Sequence, residues 1–375
     1  MEIMPSFVDL DIQPVITELS PIVKIVGVGG CGGNVVQHVY DSHVNEVSYA
    51  ICNTDRKALF NSTIPVKIQL GEGLGAGGDP EVGLRVAEQS SDDLQRIFND
   101  GTQMAFITAG MGKGTGTGAA PFVAELAKTK GILTVGFVCL PPEIDGEEKV
   151  QIAMKGVDKM RKSVDAIIVV DTQRIFDLYS NLPIDDAFDK ANDLMADAAK
   201  AVADIVNCCG KINIDMADVR TVLKDSGDVI MAYGKASGEN RAIDALLAAL
   251  DSPLVQCSCL AGAKAMLLNI MYSSQNKIMG DEHNAITSYL RNKLGVDSKT
   301  KIHEGLMFDE SLGDALSITI MATGLVPDQK RKKVPLDQWF GEPKQERGFS
   351  FDLTDGDMTE EEELVPAYQR RKIDF

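Results

Sequence analysis

The sequence predicts an α/β protein in which a parallel-sheet domain is joined by one long helix to a smaller α/β domain and followed by a tail. Short β-branched runs recur through the first half with helix-length segments between them, a pattern that right-handed crossovers turn into a parallel sheet. Between Pro183 and Cys209 an apolar three-and-four spacing is then held for about seven turns. After Leu325 periodicity is lost and charges gather in blocks.

Taken in order, residues 1–20 form a polar N-terminal extension, and Ile22 to Val28 (IVKIVGV) reads as a buried parallel strand running into glycines. Val47 to Cys52, Ala105 to Thr108, Ile132 to Cys139 and Ala166 to Val170 are four more such runs, so residues 21–182 make one α/β domain. The central helix covers residues 183–209, with Ile184, Ala187, Phe188, Ala191, Leu194, Ala198, Ala201, Val202 and Ile205 on its apolar stripe. Gly210 is expected to end it as a C-terminal cap. Residues 210–325 form the second domain: helical patterns at Met216 to Lys224, Glu239 to Leu250 and Asp281 to Leu294 alternate with strand-like runs at Asp228 to Tyr233, Lys264 to Ile270, Ile302 to Phe308 and Ala315 to Ala322.

The tail divides in two. Residues 326–363 open with Lys330, Arg331, Lys332 and Lys333 and close on an acidic block ending at Glu363, which predicts a disordered linker. As a flexible coil it spans roughly 35 Å root-mean-square. Residues 364–375 regain apolar and basic character (Leu364, Val365, Tyr368, Arg370, Arg371, Lys372) and read as a short partner-binding peptide.

Charge and composition exclude several functions. With 55 acidic against 37 basic side chains the net charge is -18, which opposes binding to nucleic-acid backbones or anionic membranes. No apolar run reaches the ~18 residues needed to span a bilayer, and acidic Glu2, Asp9 and Asp11 stand where a signal peptide is basic, so a cytoplasmic protein without membrane insertion is expected. Seven cysteines (Cys31, Cys52, Cys139, Cys208, Cys209, Cys257, Cys259) form no C-x-x-C, and His38, His43, His283 and His303 show no ligand spacing with them. Reduced thiols and no protein-bound metal are expected.

Three segments carry chemistry. Gly27-Val-Gly-Gly-Cys-Gly-Gly-Asn34 follows the first strand, where Gly29, Gly30, Cys31, Gly32, Gly33 and Asn34 can bring backbone N–H groups to phosphate oxygens. Gly27, Gly29 and Gly32 also satisfy the dinucleotide fingerprint of a Rossmann domain, with Asp55 as the ribose acid, so this cluster alone leaves dinucleotide and mononucleotide binding open. The second cluster, Thr108-Ala-Gly-Met-Gly-Lys-Gly-Thr-Gly-Thr-Gly118, lies between a strand and a helix expected to start near Ala119. It is not a Walker loop, because Ile107 stands at that motif's first glycine and Gly114 follows Lys113. Gly112, Gly114, Thr115, Gly116 and Thr117 can converge on a di- or triphosphate, for which a dinucleotide fold has no use. The third, Asn213-Ile-Asp-Met-Ala-Asp-Val219, places Asp215 and Asp218 on one face at a helix start, as either a helix cap or an acidic site.

Together the two glycine clusters, the long central helix and NIDMADV resemble the FtsZ family of bacterial tubulin homologues from about Pro21 to Leu325, and Pro366-Ala-Tyr is similar to that family's C-terminal peptide. The resemblance implies a tubulin-like fold whose Rossmann-type sheet domain binds GTP or GDP with Mg²⁺ held through the phosphates. It implies a GTPase of the division ring that assembles head to tail into filaments. Its tail would bind membrane-anchoring and division-regulator proteins. In the family the acidic loop enters the next subunit's nucleotide pocket, which makes Asp215, Asp218 and Asn213 the catalytic candidates and residues 210–325 the domain that completes the GTPase site.

The chain also departs from that family. Asp145 and Lys149 stand where a Glu and an Arg usually contact the nucleotide, and Lys lacks the bidentate fork of Arg. Asn192 replaces a guanine-contacting Asp, as in tubulins, and Thr172 replaces a base-contacting Asn. Lys113 and Gly33 also differ from the family's residues, and the direction of Lys113 is left open. Two other functions fit some of these features: an NAD-dependent oxidoreductase using Gly27 to Gly32 with Asp55, and a relative that binds nucleotide without hydrolysing it.

Overall fold

A computed structural model describes residues 21–324 apart from 43, 45, 208–209, 253–259, 261, 294–295 and 297–298. The N-terminal extension, the linker, the C-terminal peptide and Cys208, Cys209, Cys257 and Cys259 therefore lie outside the described residues. Chain order begins β1 (Val23–Val28), α1 (Gly29–Asp41), β2 (Val47–Asn53), α2 (Arg56–Asn61), β3 (Val66–Gln69), α3 (Pro80–Gln89), α4 (Ser91–Arg96) and β4 (Met104–Gly110). It continues with α5 (Gly114–Thr129), β5 (Leu133–Leu140), α6 (Glu147–Ser163), β6 (Ala166–Asp171), α7 (Thr172–Leu178) and α8 (Ile184–Asn207). The second half holds β7 (Gly210–Ile212), α9 (Met216–Leu223), β8 (Gly227–Asp228), β9 (Ile230–Ala236), α10 (Arg241–Leu250), β10 (Ala265–Tyr272), α11 (Gly280–Lys293), β11 (Lys301–Phe308) and β12 (Leu316–Thr323).

The first sheet has the order β3-β2-β1-β4-β5-β6-β8 with every pair parallel. β1, β4 and β5 are buried along their length or nearly so, as expected of strands covered on both faces, which is why they read as continuous apolar runs. The strand order reverses between β1 and β4, so a crevice opens outside their carboxyl ends.

Helix α8 carries its apolar stripe into the largest core, where Met195, Ala198, Val202 and Ile205 meet Val35 and Val39 of α1 and Met231, Leu267, Met307 and Met321 of the second sheet. Thus α8 is packed between the two halves. His38 Nε2 of α1 lies 2.7 Å from Asp193 Oδ1 on α8. On the other face of the first sheet, α3, α5 and α6 close a second core around Ile107, Val138 and Val157.

The second sheet, β7-β11-β10-β12-β9, is mixed: β10 and β11 are parallel and the other pairs antiparallel. Two expectations change here. Gly210 does not cap the long helix but opens β7, because a Cβ there would stand 2.0 Å from Leu306 O of the paired strand. The strand-like run Asp228 to Tyr233 is divided between sheets: β8 pairs with β6, Val229 N–H donates to Ile167 O, and from Ile230 the chain pairs with β12. Among the described residues no helix is long and apolar enough to cross a membrane.

Candidate functional site

The crevice at the strand reversal is a cavity of about 400 Å³, within the range of roughly 300–1,000 Å³ common for small-molecule sites. The ends of five parallel strands reach it through Val28, Asn53, Gly110, Leu140 and Val170. Two helices begin there. Neither α1, entered through Val28, nor α5, entered through Lys113, has a side-chain cap, so the first-turn N–H groups of both are left for a ligand. Two uncapped N-termini facing one cavity favour an anion such as a phosphate chain.

Helix α5 starts at Gly114, earlier than the Ala119 expected from the sequence. Glycines disfavour a helix interior, yet Gly114 to Gly118 are helical because α5 runs against backbone. A Cβ on Gly116 would lie 2.3 Å from Gly110 O. In the same way a Cβ on Gly32 would meet Thr108 O at 2.2 Å, which brings α1 against β4.

Of the expected binding residues, Gly30, Cys31, Gly114, Thr115, Gly116, Asp145, Thr172 and Asn192 line the cavity. The others do not, each for a visible reason. Gly32 is buried against Thr108. Gly29, Gly33 and Asn34 border an adjoining depression with Asn53 and Ala58. Thr117 is buried, and its hydroxyl accepts the Gly112 N–H at 2.9 Å, so both residues shape the loop from behind. The Lys149 ammonium sits 3.4 Å from Asp145 Oδ1, one helical turn away. Thr172 lines the wall with its hydroxyl already donated to Leu140 O at 2.7 Å.

Several lining residues carried no motif. Asn53, Thr54, Met195, Pro141 and Pro142 arrive only through the topology, and Gly75, Ala76 and Gly78 come from a glycine-rich stretch visible in the sequence without a strand before it. Thr54 and Thr115, both lining the cavity, share a hydroxyl hydrogen bond of 2.6 Å. Lys113 is a lining residue, so its charge belongs to the site. Asp55 also lines the cavity, while its Oδ1 caps α2 by accepting the Lys57 and Ala58 N–H groups.

The acidic loop lies elsewhere. Asp215 Oδ1 accepts the Asp218 N–H at 2.8 Å and Asp218 Oδ2 accepts the Asp215 N–H at 3.2 Å, a reciprocal capping box at the start of α9. Asp218 Oδ1 is also 2.9 Å from His303 Nδ1. Asn213 Oδ1 accepts the Gly210 N–H at 2.6 Å, folding the loop. From α9, Arg220 donates to Gly131 O, two residues before β5, and to Gln103 O, immediately before β4. Asn213, Asp215 and Asp218 are therefore at the amino ends of the parallel strands and the cavity is at the carboxyl ends. The two are separated by a strand length of roughly 25 Å.

Comparison with known proteins agrees with this architecture. Residues 22–180 match the model of the Tubulin/FtsZ family, GTPase domain, and residues 227–326 match that of the FtsZ family, C-terminal domain. The chain is 41% identical to the cell division protein FtsZ of Porphyromonas gingivalis over 330 residues, covering 86% of this chain and 71% of that one. The cell division protein FtsZ of Pseudomonas putida is 39% identical over 311 residues, covering 82% and 77%. Among solved structures, the empty FtsZ dimer of M. jannaschii superposes with a TM-score of 0.73 at 30% identity, covering 82% of this chain and 89% of that one.

Proposed function

The chain belongs to the FtsZ family, and from that premise we propose how its two poles divide one reaction between neighbouring molecules. It is a polymerising GTPase of cell division that binds GTP, cleaves it to GDP and phosphate, and associates with itself. The NAD-dependent reading is not favoured, since the family models and relatives that match the chain are those of the FtsZ family GTPases. Nor is the non-hydrolysing one.

In the proposed complex the phosphates rest on the N-termini of α1 and α5, against Gly30, Cys31 and Gly114 to Gly116, with Lys113 adding charge at the rim. Asp145, ion-paired to Lys149, would face the sugar and phosphates, and Asn192 the base. Mg²⁺ fits as an ion held by phosphate oxygens and water, since this end of the cavity offers hydroxyls, backbone groups and the Asp145 carboxylate rather than a cage. When bound it would neutralise charge on the transferring group.

The observation that carries the proposal is the opposite placement of cavity and acidic loop. One molecule cannot bring Asp215 to its own phosphates. A neighbour stacked pole to pole can, and such a heterologous contact repeats without closing, which produces filaments. The hydrogen bonds divide the pair. Both oxygens of Asp218 are occupied, by the Asp215 N–H and His303, whereas Asp215 Oδ2 has no partner among the described residues. Asp215 is thus the group to orient and deprotonate the attacking water, and Asp218, steadied by His303, positions it. Residues 364–375 would tether the filament to membrane-anchoring and division-regulator proteins in the cytoplasm at the mid-cell ring.

Phosphate release measured against protein concentration tests this. Turnover per molecule should rise steeply where light scattering first reports polymer. A rate per molecule that stays level down to verified monomer would end the shared-site reading.

A further inference from the structure

Two thiols meet inside the cavity, and nothing in GTP hydrolysis requires either. Cys31 is the third residue of α1 and exposed, while Cys139 is the next-to-last residue of β5 and buried, and both line the cavity. Gly110 allows them to meet. It is in register with Cys139 across the β4–β5 pair, and a Cβ built on it would lie 2.7 Å from Cys31 Cβ and 3.1 Å from Cys31 Sγ. Cys31 therefore fills the space a side chain at 110 would take, one strand away from Cys139. Adjacent strands are about 4.8 Å apart, so Cys31 and Cys139 are neighbours on one face of the sheet.

The neighbouring Cys139 thiol, joined by the charge of Lys113 and opposed by desolvation, holds Cys31 below the ordinary thiol value. Contact with Cys31 and burial push Cys139 well above it. A reachable thiol with thiolate character beside a second, protonated one is the arrangement of an oxidisable pair. Cys52, on β2, is the contrast: it is buried, and burial pushes its thiol up to about 12.

We propose that Cys31 and Cys139 form a peroxide-sensitive dithiol whose closure to a disulfide shuts the phosphate end of the cavity and whose oxidation a bound nucleotide prevents. The Cys31 thiolate attacks one oxygen of hydrogen peroxide and the O–O bond breaks. The departing hydroxide takes up a proton as water, leaving Cys31 as the sulfenic acid. Cys139 sulfur then attacks Cys31 sulfur, the S–O bond breaks, and a second water leaves with the Cys139 proton. Two thiols lose two electrons in all, and one peroxide becomes two waters. The disulfide also draws Cys139 away from Met195 Sδ on α8, which its thiol now meets at 2.8 Å. Only the effect on nucleotide rests on the proposed function; the sulfur chemistry does not.

The test treats nucleotide-free, full-length protein with a small excess of hydrogen peroxide, blocks the remaining thiols and maps disulfides by peptide mass. A Cys31–Cys139 crosslink is expected, with affinity for a fluorescent GTP analogue reduced about tenfold or more and restored by dithiothreitol. Saturating GDP should slow the crosslink by at least about tenfold. In Cys139→Ser, Cys31 should be trapped as sulfenic acid and then over-oxidise without forming a crosslink, and in Cys31→Ser, Cys139 should survive unmodified. Disulfides that omit either residue, or Cys31 reacting no faster than Cys52, would overturn the proposal. If reduced protein fails to bind GTP while the crosslink forms, the nucleotide reading falls and the dithiol stands; GTP binding without the crosslink is the reverse.

Discussion

Replacing Asp215 by Asn or by Ala separates two tasks of one carboxylate. Oδ1 caps α9 through the Asp218 N–H, and Oδ2 is the proposed acceptor of the water proton. Asn caps a helix about as well as Asp, so Asp215→Asn should unfold within a few tenths of a kcal/mol of the parent, whereas Asp215→Ala should lose ~1 kcal/mol. Loss of a positioned base costs on the order of 10²-fold or more in rate, equivalent to ~2.7 kcal/mol of barrier, which exceeds the whole value of the cap. Both variants should therefore bind GTP normally, and the turnover of both in polymer should fall by about 10²-fold. Urea denaturation reads the cap, and phosphate release at saturating GTP, above the concentration at which polymer scatters light, reads the base. Parental turnover in Asp215→Asn, with loss confined to Asp215→Ala, would mean that the cap was the residue's whole function.

Other consequences can be checked directly. Burial pushes the Asp204 carboxyl on α8 up to about 6, with Lys200 opposing and Asp309 reinforcing the shift. The native state then holds this proton more tightly than the unfolded chain, whose Asp titrates near ~3.9, so the charged form penalises stability above pH ~6 and the penalty fades as pH falls toward ~4. Asp204→Asn should exceed the parent in stability by about 2 to 3 kcal/mol at pH 8 and converge with it near pH 4, in denaturant midpoints. Thr115→Val removes the 2.6 Å hydroxyl bond to Thr54 and should lower stability by ~1 kcal/mol in urea denaturation. Gly32→Ala puts a Cβ 2.2 Å from Thr108 O, where only backbone can yield, and should cost about 3 kcal/mol in urea denaturation.

What could be read from the chain follows from how local each cause is. β1, β2, β4, β5 and β6 were visible because strands covered on both faces are written as uninterrupted apolar runs. β3 was not: it has four residues, of which only Ile68 is buried, so no run or alternation marks it. β7 and β8 are too short for any period and exist because a partner strand is waiting for them. Gly29 and Gly114 open helices against their own propensity, since the gain lies in the approach of another backbone. For the site, motifs located the glycine turns and the acidic pair but also drew in Gly32 and Thr117, which support the cavity from outside it. Asn53, Thr54 and Met195 needed the strand order, and His303 needed the pairing of the second sheet to reach Asp218.

Helix α8 has 24 residues and is about 36 Å long. Asn192 on it borders the cavity, while Asn207 at its far end donates to Glu46 O, just before β2 begins. It is a strut laid from the cavity to the amino ends of the strands. The stretch from Asn192 to Asn207 is about 22 Å of helix, which sets a floor under the axial period of the proposed head-to-tail polymer, so loss of the γ-phosphate can bend such a polymer but cannot shorten its repeat below that length. Optical diffraction from negatively stained polymers, before and after nucleotide is consumed, should show the same meridional spacing with altered curvature.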